Sequence, residues 1–364
     1  MKIREFEKHL NTLFPLALQE EYDNSGLQIG DPEEEIKGIL ITVDVTEEII
    51  DEAIDKKVNF ILSHHPLFFA DIKKLSTGTY VERVARKAIK NNITIYSAHT
   101  NLDKHKEGIN VKLAQKLGLE NIQILNPVRN QLIKLAFFVP HDHANEVRKA
   151  VFDAGAGQIG DYDQCSYNLK GEGTFRPGEG TDPFVGNKGE MHFEKETRIE
   201  TIFPSYLTQL VIEALFNAHP YEEVAYDLYP LLNSNNESGL GAVGKFENPV
   251  SETDFLTKLK ETFNIPCIKH TEMLNKPIQK VALCGGSGSS LLEKAKSAGA
   301  DVFVSADFKY HRYFDAENSI MIVDIGHYES ENIAKKIFYE LLTKNFPNFA
   351  IHLSEVNTNP INYY

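Results

Sequence analysis

In the first third of the chain, short β-branched apolar runs alternate with segments whose apolar residues have helical spacing. The predicted strands are 38–45, 58–62 and 93–97, and the predicted helices are 46–56, 81–90 and 108–117. The last third repeats the pattern, with strands at 280–284, 301–304 and 320–323 and helices at 289–298 and 330–342. This alternation predicts βαβ units and a parallel sheet, so both ends of the chain should build one kind of α/β domain.

The middle third has a different order of elements. Strands are predicted at 135–140, 197–203 and 223–228, helices at 144–154 and 206–218, and hairpins and loops at 154–189. This β-α-β-β-α-β order is the ferredoxin-like split pattern, and it ends in a polar, turn-rich stretch at 233–240. We predict a discontinuous α/β domain with a mostly parallel sheet from residues 1–127 and 233–364, with an inserted ferredoxin-like α+β module at 128–232.

Composition narrows the class of protein. The length of 364 residues suits two or three domains of about 150 residues each. Lys and Arg total 38 against 52 Asp and Glu, and the resulting charge of −14 disfavours a nucleic-acid partner. Three scattered cysteines provide neither a disulfide framework nor a C-x-x-C zinc pair. With no signal-peptide core and no apolar run of about 18 residues, we expect a cytoplasmic protein without a membrane span.

Histidine and carboxylate side chains follow three of the predicted strands, just past their carboxyl ends. Open α/β sheets bind ligands at that edge. The residues are His64 and His65 after strand 58–62, His99 and Asp103 after strand 93–97, and His327 and Glu331 after strand 320–323. A single histidine at a strand end is usually a hydrogen-bonded loop residue, but three such clusters at one sheet edge favour metal binding.

The types and spacing of these residues suit two ions rather than one closed tetrahedral ion. Imidazole and carboxylate ligands accept Zn, Mn, Fe or Ni. His64 and His65 are adjacent, so their side chains diverge and could serve two neighbouring ions, with Asp103 bridging or completing the pair. His327 and Glu331 are four residues apart at a helix start and share a face. Two ions roughly 3.5–4 Å apart would hold a hydroxide and stabilise a developing oxyanion, which is hydrolytic chemistry.

Three further features each have more than one interpretation. His99 is either a structural loop residue or a partner of the site that moves protons. The segment 284–290, Cys-Gly-Gly-Ser-Gly-Ser-Ser, is either a tight strand-to-helix turn or a phosphate-binding loop. In the segment 307–312, Asp307 or His311 could reach the site as acid or base, Lys309 and Arg312 could hold a substrate anion, or the whole segment could be a solvated loop.

Together these residues resemble a known family, the GTP cyclohydrolase I type 2 homologues, also called NIF-three-like proteins. The resemblance covers nearly the whole chain. Its motifs are YDNSGLQIG at 22–30, SHHP at 63–66, HTNLD at 99–103, GGSG at 285–288, GHYESE at 326–331 and NTNP at 357–360. The longer members carry a middle insert similar to PII-type and CutA-type modules, in agreement with the predicted insertion.

The resemblance implies a dinuclear centre of two divalent ions per chain, with zinc as the first choice and Mn, Fe or Ni as alternatives. The matching metal-ligand positions are His64, His65, Asp103, His327 and Glu331. Glu329 competes for the last position, and the four-residue spacing from His327 favours Glu331. The resemblance also implies ring-shaped homohexamers. Tyr22 stands where the family more usually has tryptophan, which we interpret as a conservative packing change.

The resemblance also implies an activity, the opening of the GTP imidazole ring by a metal-bound hydroxide with His99 or His311 moving protons. The sequence shows no evident guanine-reading motif, so our first hypothesis is broader. It is a metal-dependent hydrolase acting on a small, nucleotide-like substrate. The alternative is a non-catalytic metal-binding protein that regulates or senses a ligand through its insert. A nucleic-acid-binding ring is a third hypothesis, against which the net charge of −14 counts.

Overall fold

The computed structural model describes residues 1–364. The protein is a mixed α/β structure with three sheets, of five, six and four strands. It divides into two compact units. The first unit comprises Met1–Asn126 and Ser238–Tyr364, and the second comprises Pro127–Glu237. No helix of the structure is both long and apolar enough to cross a membrane.

The elements of the first part of the chain alternate between helix and strand. They are α1 (Ile3–Leu13), β1 (Gly26–Ile29), β2 (Ile39–Thr42), α2 (Glu47–Asp55), β3 (Phe60–Ser63), α3 (Tyr80–Lys90), β4 (Thr94–Ser97), α4 (Thr100–Asp103), α5 (Ile109–Leu117) and β5 (Glu120–Val128). Helix α2 begins where the sequence predicts, because the Thr46 hydroxyl accepts a hydrogen bond from the amide of Ile49.

The middle and last parts follow. The middle elements are β6 (Leu132–Pro140), α6 (Ala144–Asp153), β7 (Tyr167–Phe175), β8 (His192–Pro204), α7 (Thr208–Ala218), β9 (Tyr226–Leu231) and β10 (Asn235–Val250). The last elements are α8 (Glu252–Phe263), β11 (Lys269–His270), β12 (Ile278–Leu283), α9 (Leu292–Ser297), β13 (Val302–Ser305), β14 (Met321–Asp324), α10 (His327–Glu331), α11 (Ile333–Asn345) and β15 (Ile351–Leu353).

The first unit contains two sheets. The five-stranded sheet has the order β1-β4-β3-β2-β15, in which β1 is antiparallel to β4 and the other pairings are parallel. The six-stranded sheet has the order β11-β14-β13-β12-β10-β5, with β12, β13 and β14 parallel and with β10 and β11 joined antiparallel to them. One apolar core contains residues of both sheets, including Phe60 and Val302.

This arrangement corrects the expectation of a single, mostly parallel sheet. Each end of the chain builds its own group of buried parallel strands, and antiparallel strands at the margins make both sheets mixed. The three predicted site segments therefore do not share one sheet edge. Two follow β3 and β4 of the first sheet, and one follows β14 of the second sheet.

The second unit is built on one antiparallel sheet with the order β7-β8-β6-β9. Along the chain its elements run strand, helix, strand, strand, helix, strand. Its core is separate and includes Phe137, Ile199 and Val211, which come from β6, β8 and α7.

Two stretches predicted as loops and turns contain strands. Strand β7 lies within 154–189, and almost all of its residues are exposed, so the sequence shows no apolar alternation there. The polar stretch 233–240 lies mostly within β10, whose later residues 242–245 pair with β12. Strand β7 is held by pairing with β8 over its whole length, whereas the buried apolar residues of β10, Ala242, Val243 and Phe246, come only after the polar stretch.

Candidate metal centre

The His64–His65 pair forms a tight turn at the carboxyl end of β3. The amides of both histidines donate to the carbonyl of Val43, at 3.1 and 2.9 Å. The hydroxyl of Ser63 donates to the carbonyl of His65 at 2.8 Å. The two rings diverge from this turn, with centroids 4.9 Å apart and planes inclined by 42°. Consecutive residues therefore present two imidazoles to neighbouring positions rather than to one point.

Two short helices supply the other residues. Helix α4 directly follows His99 and ends at Asp103, and helix α10 begins at His327 and ends at Glu331. The structure brings together all six residues that follow the three strands. Three sets each have ligand atoms within 4.8 Å of one another: His64, Asp103 and Glu331; His65, His327 and Glu331; and His64, His65 and His99.

Glu331 lies at the centre of the cluster and is almost fully buried. Its Oε2 is 2.8 Å from Nε2 of His65 and 2.8 Å from Nε2 of His327. Its Oε1 is 3.8 Å from Nε2 of His64, and Oδ1 of Asp103 is also 3.8 Å from that nitrogen. Since Glu331 belongs to two of the three sets, its carboxylate is suited to lie between two ions.

Each of the four histidines has its Nδ1 fixed by an oxygen outside the cluster. The pairs are His64 with the carbonyl of Ala98 at 3.0 Å, His65 with Asp44 at 2.7 Å, His99 with Asp23 at 2.7 Å, and His327 with Asp307 at 2.6 Å. A histidine that donates Nδ1–H to such an acceptor keeps Nε2 available as a ligand, which is the usual arrangement around bound metals.

The donor atoms fit a divalent ion. Nε2 of His64 is buried and has no hydrogen-bond partner. Its 3.8 Å separations from Asp103 and Glu331 are too long for hydrogen bonds. Ligand atoms about 2.1 Å from one ion at the tetrahedral angle lie about 3.4 Å apart, which is close to these separations. A buried imidazole nitrogen that faces two carboxylates at these separations therefore fits an ion held by all three groups.

The glycine loop after β12 makes room for Glu331. Gly286 has a φ of 58°, and a Cβ atom there would overlap Oε1 of Glu331. The Gly286 amide also donates to the hydroxyl of Ser330 at 2.9 Å. Of the two interpretations of segment 284–290, these contacts favour a tight turn whose glycine lets the backbone approach the central carboxylate.

Three residues singled out from the sequence are not part of the cluster. His311 is exposed on a 3₁₀ helix at Tyr310–Ala316, beside the ring of Phe314, and is not part of the cluster. Glu329 faces the C-terminal segment, where Asn359 Nδ2 donates to its Oε1 at 3.0 Å. Tyr22 is 65% exposed, so interpreting it as a packing residue was wrong.

Comparison with known proteins identifies the family of this chain. Residues 1–360 match the family Duf34/NIF3, NGG1p interacting factor 3. The chain belongs to the DUF34/NIF3 family. The resemblance drawn from the sequence motifs is therefore confirmed.

Relatives within the DUF34/NIF3 family align over nearly their full length. The chain is 41% identical over 355 residues to a Halalkalibacterium halodurans protein named GTP cyclohydrolase 1 type 2 homolog, covering 96% of this chain and 95% of the relative. It is 39% identical over 355 residues to the Bacillus subtilis protein of the same name, with the same coverage. A crystal structure of a Bacillus cereus protein related to NIF3 superimposes with a TM-score of 0.88 at 39% identity, covering 100% of this chain and 99% of that one.

The carboxylates of this NIF3-family site hold protons on the histidines when no metal competes. Burial by itself lowers the pKa of His65, but hydrogen bonds to Asp44 and Glu331 outweigh it and raise that pKa to about 9. Burial also opposes protonation of His327, yet Asp307 and Glu331 raise its pKa to about 11. These are positions at which a cation is strongly stabilised.

The two buried carboxylates of the cluster respond in opposite directions. Burial raises the pKa of Asp103. Burial acts in the same sense on Glu331, but hydrogen bonds from its histidine neighbours outweigh it and hold the pKa of Glu331 well below its usual range. Two neighbouring acids of this kind are easiest to keep ionised together when positive charge lies between them.

Sequence reasoning missed one important residue, Asp44. It lies just after β2, at the same edge of the sheet as His64, so the strand-end argument applied to histidines would also have found it. Its position inside the apolar run 38–45 concealed it. Asp44 joins two regions, because its Oδ1 is bound to His65 and its Oδ2 accepts from the Thr358 hydroxyl at 2.7 Å.

The cluster forms part of the wall of a cavity of about 1100 Å³. His65, His327 and Glu331 line it together with the glycine loop. Another part of its lining comes from the segment between β3 and α3, which includes Phe69 and Lys73. A cavity of this size takes a small molecule.

Proposed function

We propose that this protein binds two divalent metal ions and is a metal-dependent hydrolase of a small, nucleotide-like substrate. The single observation that carries the proposal is the convergence of four imidazoles and two carboxylates in one cluster, all of which except the buried His64 line one cavity. Relatives named GTP cyclohydrolase 1 type 2 homolog support a nucleotide as the substrate class.

The proposed ligands divide into two sets. His64 and Asp103 would hold one ion, His65 and His327 the other, and Glu331 would contribute to both. Zinc is the first choice, because imidazole and carboxylate donors without thiolate suit a catalytic zinc, with Mn, Fe and Ni as alternatives. Bound ions would supply Lewis-acid stabilisation of a developing oxyanion and lower the pKa of a water molecule.

His99 is the better placed of the two histidines proposed for proton transfer. It lines the same cavity as the cluster, whereas His311 is exposed beside Phe314. The carboxylate of Asp23 lies 2.7 Å from Nδ1 of His99 and orients the ring. Nε2 is then the nitrogen that would exchange a proton with a substrate atom. An imidazole oriented in this way suits general acid–base chemistry.

The test is a hydrolysis screen on protein loaded with Zn or Mn. Formate release from GTP reports ring opening, and phosphate or amine release from other nucleotides reports other hydrolytic reactions. We expect at least one substrate to turn over, and His64→Ala and His327→Ala to abolish turnover while the circular dichroism spectrum is kept. His270→Ala, at an exposed histidine outside the cluster, is the matched control.

Bound metal without turnover of any nucleotide would contradict the hydrolase proposal. It would favour the second candidate, a non-catalytic metal-binding protein that senses a ligand. The observation behind this candidate is that Pro127–Glu237 forms a compact unit with a core of its own, which a purely hydrolytic site does not require.

We also propose the organisation predicted from the sequence, a discontinuous domain of residues 1–127 and 233–364 with a ferredoxin-like insert at 128–232. The sheet order β7-β8-β6-β9 with two helices supports the ferredoxin-like assignment. A homohexamer and a cytoplasmic location complete the proposal. Light scattering on the purified protein tests the oligomer, and three free cysteines agree with a reducing compartment.

A further inference from the structure

Two aromatic side chains stand exposed in the lining of the cavity that contains the histidine cluster. Tyr22 is 65% exposed and Phe69 is 56% exposed, although both are large and apolar. Their ring centroids are 6.4 Å apart with planes inclined by 37°. The ring of Phe69 is also 5.8 Å from the ring of His99. The aromatic pair therefore extends directly from the cluster along the cavity.

The pair is held in place by polar contacts rather than by burial. Asn24 Nδ2 donates to the carbonyl of Phe68 at 2.7 Å, and the Phe68 amide donates to Oε1 of Gln28 at 3.2 Å. These bonds join the segment that carries Tyr22 to the segment that carries Phe69. An exposed aromatic surface that is fixed in this way has the properties of a ligand platform.

Positive charge lies next to the aromatic pair. Lys73 and Lys74 line the same cavity, four and five residues beyond Phe69. Asp71 on the same segment opposes one of these charges, which leaves the segment's contribution to the lining at +1. In a chain with a net charge of −14, a cationic segment beside an open cavity favours an anionic ligand.

The other carboxylates of the cavity already face groups of the protein itself, and one of them, Asp103, lies 3.8 Å from Nε2 of His64 in the cluster. Asp44 binds His65 and Thr358, and Glu331 binds the histidines of the cluster. Glu82 accepts hydrogen bonds from the backbone of Ser76 and Gly78. Lys73 and Lys74 are therefore the charged groups of the outer lining that are suited to bind a ligand anion.

We propose that the outer part of this cavity binds a molecule with both a planar aromatic ring and a phosphate group, the ring against Tyr22 and Phe69 and the phosphate at Lys73 and Lys74. The inference rests on the proposed function, because that molecule would be the substrate presented to the cluster. It names the substrate class as an aromatic or heterocyclic phosphate. Stacking on an aromatic side chain tolerates any base, so adenine and guanine should both bind.

The test is calorimetric titration of the full chain with GMP, AMP, guanosine and ribose 5-phosphate, in metal-loaded and chelator-treated protein. We expect GMP and AMP to bind at least tenfold more tightly than guanosine or ribose 5-phosphate. Phe69→Ala should weaken GMP binding roughly tenfold or more. Phe69→Tyr should restore binding, and Phe69→Leu should not.

Removing the lysine charges should have a different signature. Lys73→Ala/Lys74→Ala should lower the affinity for GMP and ribose 5-phosphate but not for guanosine, and should reduce the dependence of GMP binding on salt. Phe314→Ala and Lys336→Ala, at exposed residues outside the cavity, are the matched controls and should change nothing.

Three results would overturn the inference. They are no GMP binding, binding that neither set of variants alters, and a Phe69→Ala effect confined to oligomer size in light scattering, which would make the platform a contact between copies. Metal content measured on the same samples separates the two proposals. GMP binding by protein that takes up no metal would contradict the hydrolase proposal and support the aromatic platform. Bound metal in protein that does not bind GMP would contradict the platform and leave the hydrolase proposal standing.

Discussion

Asp44 offers the sharpest test of how the metal centre is organised. Its Oδ1 lies 2.7 Å from Nδ1 of His65, and its other oxygen accepts from Thr358. Holding the proton on Nδ1 leaves Nε2, which faces Glu331 and His327, as the nitrogen that can give up its proton and bind a metal ion. Asp44→Asn keeps the size and one acceptor oxygen but removes the charge that orients the ring.

The expected loss can be bounded. Replacing a partner that orients a metal-bound histidine typically costs 10- to 100-fold in metal affinity, which corresponds to about 1.4–2.8 kcal/mol. The lower end is expected for Asp44→Asn, since an amide oxygen still accepts from Nδ1–H, and the upper end for Asp44→Ala. Thr358→Val should have a smaller effect than either, because it acts on His65 only through Asp44.

The assay is competition for Zn²⁺ with a chromophoric chelator. Because the proposed site assigns His65 and His64 to different ions, Asp44→Asn should weaken one of two binding steps and leave the other unchanged. Asp315→Asn, an exposed carboxylate paired with Arg312, is the matched control. Unchanged affinity at both steps would refute the orienting role. Equal weakening of both steps with a lowered melting temperature would show that Asp44 is merely structural.

Two other predictions address the loop and the protons of the site. Gly286→Ala should abolish tight metal binding, measured by equilibrium dialysis, because its Cβ would overlap Glu331. Gly299→Ala is the control, at a φ of 68° with nothing within 4 Å of the added Cβ, and should keep metal binding. Equal losses of metal affinity in the two variants would contradict this prediction. With pKa values of about 9 and 11, His65 and His327 are protonated at neutral pH in metal-free protein. Zinc binding should therefore release about two protons and become tighter as pH rises. Calorimetry in buffers of different ionisation enthalpy measures the proton release, and binding heats that do not depend on the buffer would contradict it. Since both values lie above the unfolded value of about 6.5, their stabilisation of metal-free protein is complete below that pH and is lost as pH rises through about 9 and 11.

Much of the first unit could be predicted from local signals. Strand β2 lies within the predicted run 38–45, the buried apolar strand β3 overlaps the predicted run 58–62, and the Thr46 cap fixes the start of α2. The sequence did not reveal that the parallel strands belong to two sheets. Sheet membership depends on long-range pairing, such as that of β15 with β2, which local periodicity does not encode.

The candidate site could also be predicted only in part from local sequence. The rule that ligands gather at the carboxyl ends of parallel strands selected all six residues of the cluster. It could not choose within the segment after β13, where Asp307 rather than His311 reaches His327. That choice depends on Asp307 adopting a φ of 57°, a backbone conformation that residue type alone does not determine.

The most direct test of the central claim is metal content per chain. It requires mass spectrometry on protein purified without chelator or a metal-affinity column, with His64→Ala measured beside it. We predict about two divalent ions per chain, falling towards one in the variant because the set containing His65, His327 and Glu331 remains. Folded protein that contains no metal and takes up neither added Zn nor added Mn would contradict the account.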